Sequence, residues 1–130
     1  MKRLLVGLVV AVAACAGEQG PVAGELSIRI ATPRASDRAI LFVLTGTQSG
    51  VTAAPGSGYL VFAAPSAGGD TTRIVVAARA GGGIAAGEVA RVSVADVRKA
   101  GSYSVTLTDV AAATYAVGDT AGVTLTVVKP

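Results

Sequence analysis

Few side chains in this chain could take part in covalent chemistry, and the combinations that enzymes use do not occur. The 130 residues include no histidine and one cysteine, Cys15. A serine or cysteine nucleophile needs a neighbouring base to activate it, and that base is usually histidine. The lysines that follow Cys15 in the chain, Lys99 and Lys129, do not lie in a recognisable serine-lysine motif. We therefore expect no nucleophilic catalysis.

The carboxylates and glycines form no catalytic or phosphate-binding pattern either. Acid-base catalysis would need two carboxylates close together, but the acidic residues from Glu25 onward are dispersed, and most fall at turns: Glu25, Asp37, Asp70, Glu88, Asp96, Asp109 and Asp119. The run Gly81-Gly82-Gly83 lacks the Lys-Ser/Thr pair and the following helix of a P-loop. We interpret the carboxylates as solvated turn residues and caps and the three glycines as a flexible turn, and we predict that the protein is not an enzyme.

Composition also argues against a bound metal, a cofactor or a nucleic acid. Transition metals prefer histidine and thiolate ligands, which this chain lacks beyond Cys15. Asp70 or Asp119 could offer oxygen ligands to calcium, but no spacing resembles a calcium loop. Lys2 and Arg3 lie in the N-terminal segment, which leaves nine basic and eight acidic residues in the remainder. We predict no cofactor, no metal site and no nucleic-acid partner.

The single cysteine lies where an apolar N-terminal run ends. The basic residues of MKR precede an apolar segment from Leu4 to Ala14, and this order is typical of a secretory signal peptide. Eleven residues would form a helix about 16 Å long, roughly half the thickness of the hydrocarbon core, which is too short for a stable membrane span. We predict that residues 1–14 form a signal helix that is removed.

The residues Val12-Ala13-Ala14-Cys15 resemble the lipobox of bacterial lipoproteins. The resemblance implies that Cys15 becomes the first residue of the mature protein and carries a thioether-linked diacylglyceryl group and an N-acyl chain, an anchor that is stable in a membrane. Ala16, a non-acidic residue, implies sorting to the outer membrane. The alternative is a conventional secretory signal with a chance cysteine. Once acylated, Cys15 cannot form a disulfide, so packing alone must stabilise the fold.

The rest of the chain divides into a short tether and one domain. Residues 15–24 are rich in Gly, Ala and Pro, lack periodicity and predict a flexible tether. Residues 25–130 contain short apolar or alternating segments separated by turn residues, with one helical turn expected within ADVRKAG. The predicted strands cover residues 26–30, 39–45, 51–54, 59–64, 73–79, 88–94, 102–110 and 123–128.

Seven or eight such strands without an amphipathic helix indicate an all-β fold, an antiparallel β-sandwich. We expect AILFVLT, residues 39–45, to be a central strand because it is continuously apolar. The residues predicted to fill the space between the two sheets are Ile28, Ile30, Leu41, Val43, Val76, Val92, Tyr103, Val105, Leu107, Val123 and Leu125.

Two further resemblances refine the fold prediction. AGSYSVTL, residues 100–107, resembles the start of the sixth strand in immunoglobulin-like and polycystic-kidney-disease-type domains, in which a tyrosine hydroxyl caps a corner. IAAGEVARVSV, residues 84–94, followed by SYSVTLTDV, is similar to the later strands of cohesin-like modules. Those modules are jelly-roll-like sandwiches of nine strands that bind partner proteins or belong to cell-surface assemblies. The resemblances imply an immunoglobulin-like or cohesin-like sandwich of seven to nine strands and do not establish a function.

Two polar features of the predicted strands are candidates for a binding surface. Arg73 and Arg79 share a face of one strand, and Arg91 is expected opposite them on a neighbouring strand, so that a basic patch could meet anionic polysaccharide or lipid headgroups. A hydroxyl-rich sheet face could bind sugar or protein; it would consist of Thr106, Thr108, Thr124 and Thr126. Solvent-facing arginines and ordinary cross-strand threonines are the alternatives.

Together, the signal, the strand pattern and the missing catalytic residues predict a lipid-anchored protein of the bacterial cell envelope. Its membrane contact would be the lipid on Cys15, and its β-sandwich would act as a non-catalytic binding or adhesion module for an envelope protein or polysaccharide. The alternative is a structural accessory subunit of an envelope or surface complex. In either case we expect the outer membrane as its location.

Overall fold

Alternating apolar residues form eight strands in a computed structural model that describes residues 20–130. The signal segment, the lipobox residues Val12, Ala13 and Ala14, the lipidation residue Cys15 and the tether up to residue 19 lie outside the described residues. The strands are β1 (Gly24–Ala31), β2 (Ala39–Thr45), β3 (Gly50–Ala53), β4 (Leu60–Pro65), β5 (Thr71–Ala77), β6 (Gly87–Val94), β7 (Ser104–Ala111) and β8 (Thr124–Val128), with a 3₁₀ helix at Val97–Ser102 between β6 and β7.

The strands pair into two four-stranded antiparallel sheets. The first sheet has the order β3-β6-β1-β8 and the second the order β4-β5-β2-β7. Strands β3 and β4 contact each other at one edge of the sandwich, and β7 and β8 at the other. The prediction of an all-β antiparallel sandwich is therefore confirmed, and each strand lies within two residues of its predicted ends.

The order of the strands matches the jelly-roll alternative. The pairs β1–β8, β2–β7, β3–β6 and β4–β5 are nested, as when one long antiparallel hairpin folds over on itself. In immunoglobulin domains the last two strands share a sheet, whereas here β7 and β8 belong to different sheets. The immunoglobulin-like resemblance therefore does not extend to the topology.

The inward faces of both sheets form one aliphatic core. Its fully buried side chains include Leu26, Ile28, Ile74, Val76 and Val92. Of the predicted core residues, Tyr103, Val105, Leu107 and Leu125 are half-buried and pack against this core.

The orientation predicted for β2 is wrong. Its inward residues are Ile40, Phe42 and Leu44, so Leu41 and Val43 lie on the outer face instead of in the core. Because side chains alternate along a strand, a one-residue error of this kind exchanges the two faces completely. The run AILFVL shows no alternation from which its inward face could be read.

Tyr103 binds a distant loop. Its hydroxyl donates to the carbonyl oxygen of Thr47, 2.5 Å away in the β2–β3 loop, whereas the tyrosine of an immunoglobulin corner binds backbone only a few residues upstream. Its ring also covers Gly46, where φ is +127° and a Cβ would lie 2.6 Å from Cε1 of the ring. Tyr103 therefore joins the start of β7 to the end of β2.

The described part of the predicted tether is bonded to the domain. The Val22 carbonyl accepts from the Val97 N–H at 2.9 Å, and Arg98 donates to the Gly20 carbonyl at 3.0 Å. The Asp96 carboxylate accepts from the Val22 N–H at 3.3 Å, and its bond from the Arg98 guanidinium holds the pKa of Asp96 far below its usual range. The domain thus begins before residue 25. The sequence contains no sign of this, because hydrogen bonds to residues more than 70 positions away leave no periodicity.

Candidate functional site

The outer face of the first sheet is polar, and most of its charged side chains form ion pairs with one another. Arg91 donates to Glu88 at 3.1 Å between Nε and Oε1 and lies 4.0 Å from Glu25. The hydroxyl of Ser27, on the neighbouring strand, also donates to Glu88. This bond, assisted by Arg91, lowers the pKa of the Glu88 carboxyl. Three of the four charged side chains in the strands of this sheet are thus paired with one another, and Arg29 is the one for which no ion pair is found within residues 20–130.

The outer face of the second sheet is apolar. The register places Phe62 beside Val75 and Val75 beside Leu41, across three adjacent strands. Leu60 and Val43 extend the same surface. We call these five residues the apolar face. Phe62 is 62% exposed and Leu60 44%, and a contiguous exposed patch of this kind marks interaction sites in soluble domains.

Charged residues are sparse on this side of the sandwich. Among the described residues, the strands of the second sheet have two outward charged side chains, Arg73 and Asp109. In the strand register Arg73 lies opposite Ala64 and Asp109 lies opposite Leu41. No ion pair involving either residue is found in the part of the chain that the structure describes. The two outer faces of one small domain therefore differ sharply in polarity.

A loop after β7 adds an aromatic wall to the apolar face. Residues 112–118 fold back on themselves, with Ala112 donating to Ala116 at 2.8 Å and Gly118 donating to Val110 at 2.7 Å. The exposed side chains of Tyr115 and Val117 border a groove with about 450 Å³ of empty space, part of it open to solvent. The floor of this groove consists of Ala39, Leu41, Val75 and Ala111.

Tyr115 is held at the groove by a strained backbone and an arginine. Its φ of +66° makes it the one non-glycine residue with positive φ among residues 20–130, and that conformation is unfavourable for a side chain with a Cβ. The Arg38 guanidinium lies 5.7 Å from the centroid of the ring, and its Nε donates to the Ala113 carbonyl at 3.3 Å. These contacts fix an exposed aromatic ring where it can contact another molecule.

The predicted basic patch does not form. Arg73 faces outward on β5 of the second sheet, and Arg79 follows the end of that strand. Arg91 lies on β6 of the first sheet and is paired with Glu88. The prediction that Arg91 neighbours the other two arginines is wrong, because strand order depends on long-range pairing that the spacing of arginines does not encode.

The predicted hydroxyl-rich face is also divided. Thr106 and Thr108 lie on β7 in the second sheet, where Thr108 falls at a register shift, and Thr124 and Thr126 lie on β8 in the first. All four are exposed. Although β7 and β8 contact each other, their sheets face outward in opposite directions. The four threonines therefore do not share one sheet face.

Two structural findings concern metals and membranes. Within residues 20–130, no three or more Cys, Asp or Glu side chains are grouped closely enough to hold a metal ion. Over the same residues, no helix has the length and apolar character needed to cross a membrane.

The exposure of Phe62, Leu60 and Tyr115 was not predicted from the sequence. A usable signal was present: YLVFAA and AILFVL are apolar at consecutive positions, so each strand must present apolar side chains on both faces. In a two-layered sandwich one of those faces points to solvent. Tyr115 gave no such signal, because its exposure depends on the fold of its loop.

Comparison of the chain with models of known protein families, with curated proteins and with solved structures finds no match. The function of this protein is therefore inferred from its sequence and from the geometry of the sandwich alone.

Proposed function

We propose that this protein is a lipid-anchored component of the bacterial cell envelope whose β-sandwich binds a partner protein through the apolar face. One observation carries the binding role: the outer face of the second sheet exposes Phe62 and Leu60, while that of the first is polar and includes the ion pairs of Arg91 with Glu88 and Glu25. Domains of this size otherwise present polar side chains on outward strand positions. This asymmetry supports our assignment of the binding role to the second sheet.

The chemistry of the apolar face suits a protein better than a polysaccharide. Sugars are held largely by hydrogen bonds to polar side chains, and the central residues of this surface, Leu41, Val43 and Val75, offer none. Protein interfaces have apolar, aromatic centres and polar rims. Arg38, Arg73 and Asp109 lie in positions that fit such a rim.

The proposed anchor is compatible with this surface. The described chain begins at Gly20, and Ala23 lies close to Thr47 and Tyr103, at the end of the sandwich where β2 finishes. The groove lies near Ala39, where β2 begins. Anchoring through Cys15 would therefore place the groove at the end of the domain farthest from the membrane, where a partner can reach it.

Replacing Cys15 with serine tests the anchor. We expect Cys15→Ser to lose the mass of the attached acyl chains and to leave the membrane fraction, since a hydroxyl cannot form the thioether. Mass spectrometry of the N-terminal peptide and membrane fractionation measure both effects, with Ala16→Ser as the matched control. Unmodified Cys15 in the wild-type protein, or release of the wild type in soluble form, would refute the anchoring proposal.

A charge on the apolar face tests the binding role. Val75→Glu places a carboxylate at the centre of this apolar surface, and we expect recovery of a crosslinked envelope protein to fall by about tenfold or more. Thr126→Glu is the control, because it adds the same charge to an exposed position of the first sheet. Crosslinking in membranes followed by quantitative mass spectrometry provides the measurement. Equal recovery with both variants contradicts the assignment of the binding side.

An accessory subunit of a larger envelope complex is the second candidate function. The apolar character of Phe62, Leu60 and their neighbours favours it, because permanent interfaces are more hydrophobic than transient ones. Stoichiometric co-purification with one large complex would support this function. Reversible binding to a free partner would support the recognition module instead.

A further inference from the structure

Strand β4 leaves backbone groups unpaired along one edge of the second sheet. It pairs with β5 on one side, and within residues 20–130 no strand is hydrogen-bonded to its other side, where β3 of the first sheet lies nearby. The Ser66 N–H donates to the Thr71 carbonyl at 2.8 Å. Because antiparallel bonding alternates along a strand, Leu60, Phe62 and Ala64 bond to β5, as Ser66 does. The N–H and C=O groups of the residues between them, Val61 and Ala63, therefore point away from the sheet.

This edge lacks the charges that usually protect exposed strands. Edge strands are normally guarded by charged side chains, bulges or prolines, yet no charged residue occurs from Val51 to Gly69. Pro65 ends the strand at a position whose missing N–H would point outward. The opposite edge of the sheet, β7, contains a register shift and Asp109. Of the two edges of this sheet, β4 is the one open to another strand.

We propose that a second copy of this chain occupies this edge, with its β4 running antiparallel to the first. A register centred on Phe62 places Val61 opposite Ala63 of the second copy and Ala63 opposite its Val61. Four backbone hydrogen bonds then form, and they use every outward N–H and C=O of these two residues. The two β4 strands join the second sheets of both copies into one sheet of eight strands.

The side chains of β4 favour self-pairing in this register. The two Phe62 rings lie side by side in the central pair, and Leu60 lies opposite the small Ala64, so that large and small residues alternate across the junction. A two-fold axis brings each strand against its own copy, so any charge near the axis would meet a like charge. Because β4 is uncharged, that repulsion does not arise, and the apolar face continues from one copy to the other.

The pairing has a consequence for orientation that rests on the proposed lipid anchor. Antiparallel β4 strands place Gly20 of one copy and Gly20 of the other at opposite ends of the pair. When each domain stands upright on its anchor, with the groove at the end away from the membrane, two copies in the same membrane do not have this orientation, whereas copies anchored in two apposed surfaces do. Homophilic adhesion between such surfaces is therefore the form of binding that this edge provides.

A proline substitution at this edge tests the pairing of the two β4 strands. Ala63→Pro removes an outward N–H and no bond to β5, whereas Ala63→Ser keeps that N–H. Residues 20–130 contain all eight strands and the core, and sedimentation velocity on this domain measures the association. We expect the wild type and Ala63→Ser to dimerise and Ala63→Pro to raise the dissociation constant roughly 30-fold, since two bonds per dimer are lost. Unchanged thermal unfolding of Ala63→Pro verifies its fold. Equal association of the three proteins, or a wild type that stays monomeric at about 1 mM, overturns the pairing.

Single cysteines test the register, since residues 20–130 contain no cysteine. Residues opposite each other in a pair that is not hydrogen-bonded lie about 4.5 Å apart between Cα atoms, within the range of a disulfide. We therefore expect Phe62→Cys to form a disulfide-linked dimer on mild oxidation and Ala64→Cys to remain monomeric. Equal crosslinking of both variants, or crosslinking of Ala64→Cys alone, contradicts the register.

Vesicle bridging separates the pairing from the anchor. In a protein of residues 15–130 the single thiol of Cys15 can be coupled to maleimide lipids, which imitates the anchor without cellular processing. We expect the coupled wild type to aggregate phosphatidylcholine vesicles and the coupled Ala63→Pro variant to leave them dispersed, as measured by light scattering. A dimer in solution that bridges no vesicles refutes adhesion between surfaces. Unmodified Cys15 in cells refutes the proposed anchor and leaves the pairing in place.

Discussion

Replacing Phe42 with alanine is expected to lower the free energy of unfolding by about 3–5 kcal/mol. Phe42 is fully buried at the middle of β2, with Ile74 opposite on β5 and Leu107 opposite on β7. The core around it is aliphatic, and no other phenylalanine or tyrosine of the described chain is fully buried. Removal of the ring therefore leaves a cavity at the centre of the second sheet that the surrounding aliphatic side chains cannot fill. Urea unfolding of residues 20–130 measures the loss.

Leu41→Ala is the matched control for this prediction. Leu41 adjoins Phe42 in the same strand but points outward, where it is half-buried. We expect a loss of about 1 kcal/mol, because only part of its apolar area leaves water on folding. A larger loss for Leu41→Ala than for Phe42→Ala would show that the inward face of β2 is assigned incorrectly.

The positions of the strands followed from the sequence because their signals are local. Gly, Pro, Ser and Asp clusters separate every predicted strand, and turn residues of these types impose particular backbone conformations regardless of tertiary contacts. The segment SYSVTLTDV shows the same local character through its alternation, and β7 was found within two residues of its predicted ends. The number of strands and the sandwich class could therefore be predicted.

The inward faces and the neighbours of the strands could not be predicted in the same way. AILFVLT is apolar throughout, so only the packing of the second sheet on the first decides that Phe42 points inward and Leu41 outward. The assignment of Arg91 to the first sheet likewise depends on the pairing of β6 with β1. Both outcomes are set by contacts between residues far apart in the chain.

The sequence led to candidate binding residues of other types than those of the apolar face. Arginines and threonines were chosen because outward strand positions are usually polar. In the structure Arg91 and the threonines of β8 lie on the first sheet, and the exposed surface of the second sheet is apolar around Phe62. A strand that is apolar on both faces must expose one of them in a two-layered sandwich, but its sequence pattern does not show which face that is.

The triple-glycine run illustrates a different limit of the sequence. Gly81-Gly82-Gly83 was interpreted as a flexible turn. Gly81 agrees with a turn, since its φ is +80° and no atom lies close to the position of a Cβ. At Gly83 the absence of a side chain allows two backbone segments to pack closely, because Gly83 lies directly against Ala35 and Ser36 in the β1–β2 loop. The Ile84 N–H, next in the chain, donates to the Asp37 carbonyl at 2.7 Å in that same loop.

Gly83→Ala is therefore expected to lower the free energy of unfolding by about 3 kcal/mol, although it adds a single methyl group. A Cβ at Gly83 would overlap the carbonyl oxygen of Ala35 and lie 2.9 Å from its carbonyl carbon and 3.0 Å from the Cα of Ser36. Backbone atoms cannot rotate away as a side chain can, so the two segments must separate.

Gly101→Ala is the control for this variant, since no atom lies within 4 Å of its Cβ position, and we expect it to change stability by less than about 0.5 kcal/mol. Urea unfolding of both variants decides the matter, and similar losses would contradict the close approach at Gly83. Separation of the two segments would also shift Arg38, which donates to the Gly82 carbonyl and lies over the Tyr115 ring. Loss of Gly83 should therefore disturb the groove as well as the fold, because one loop supports both.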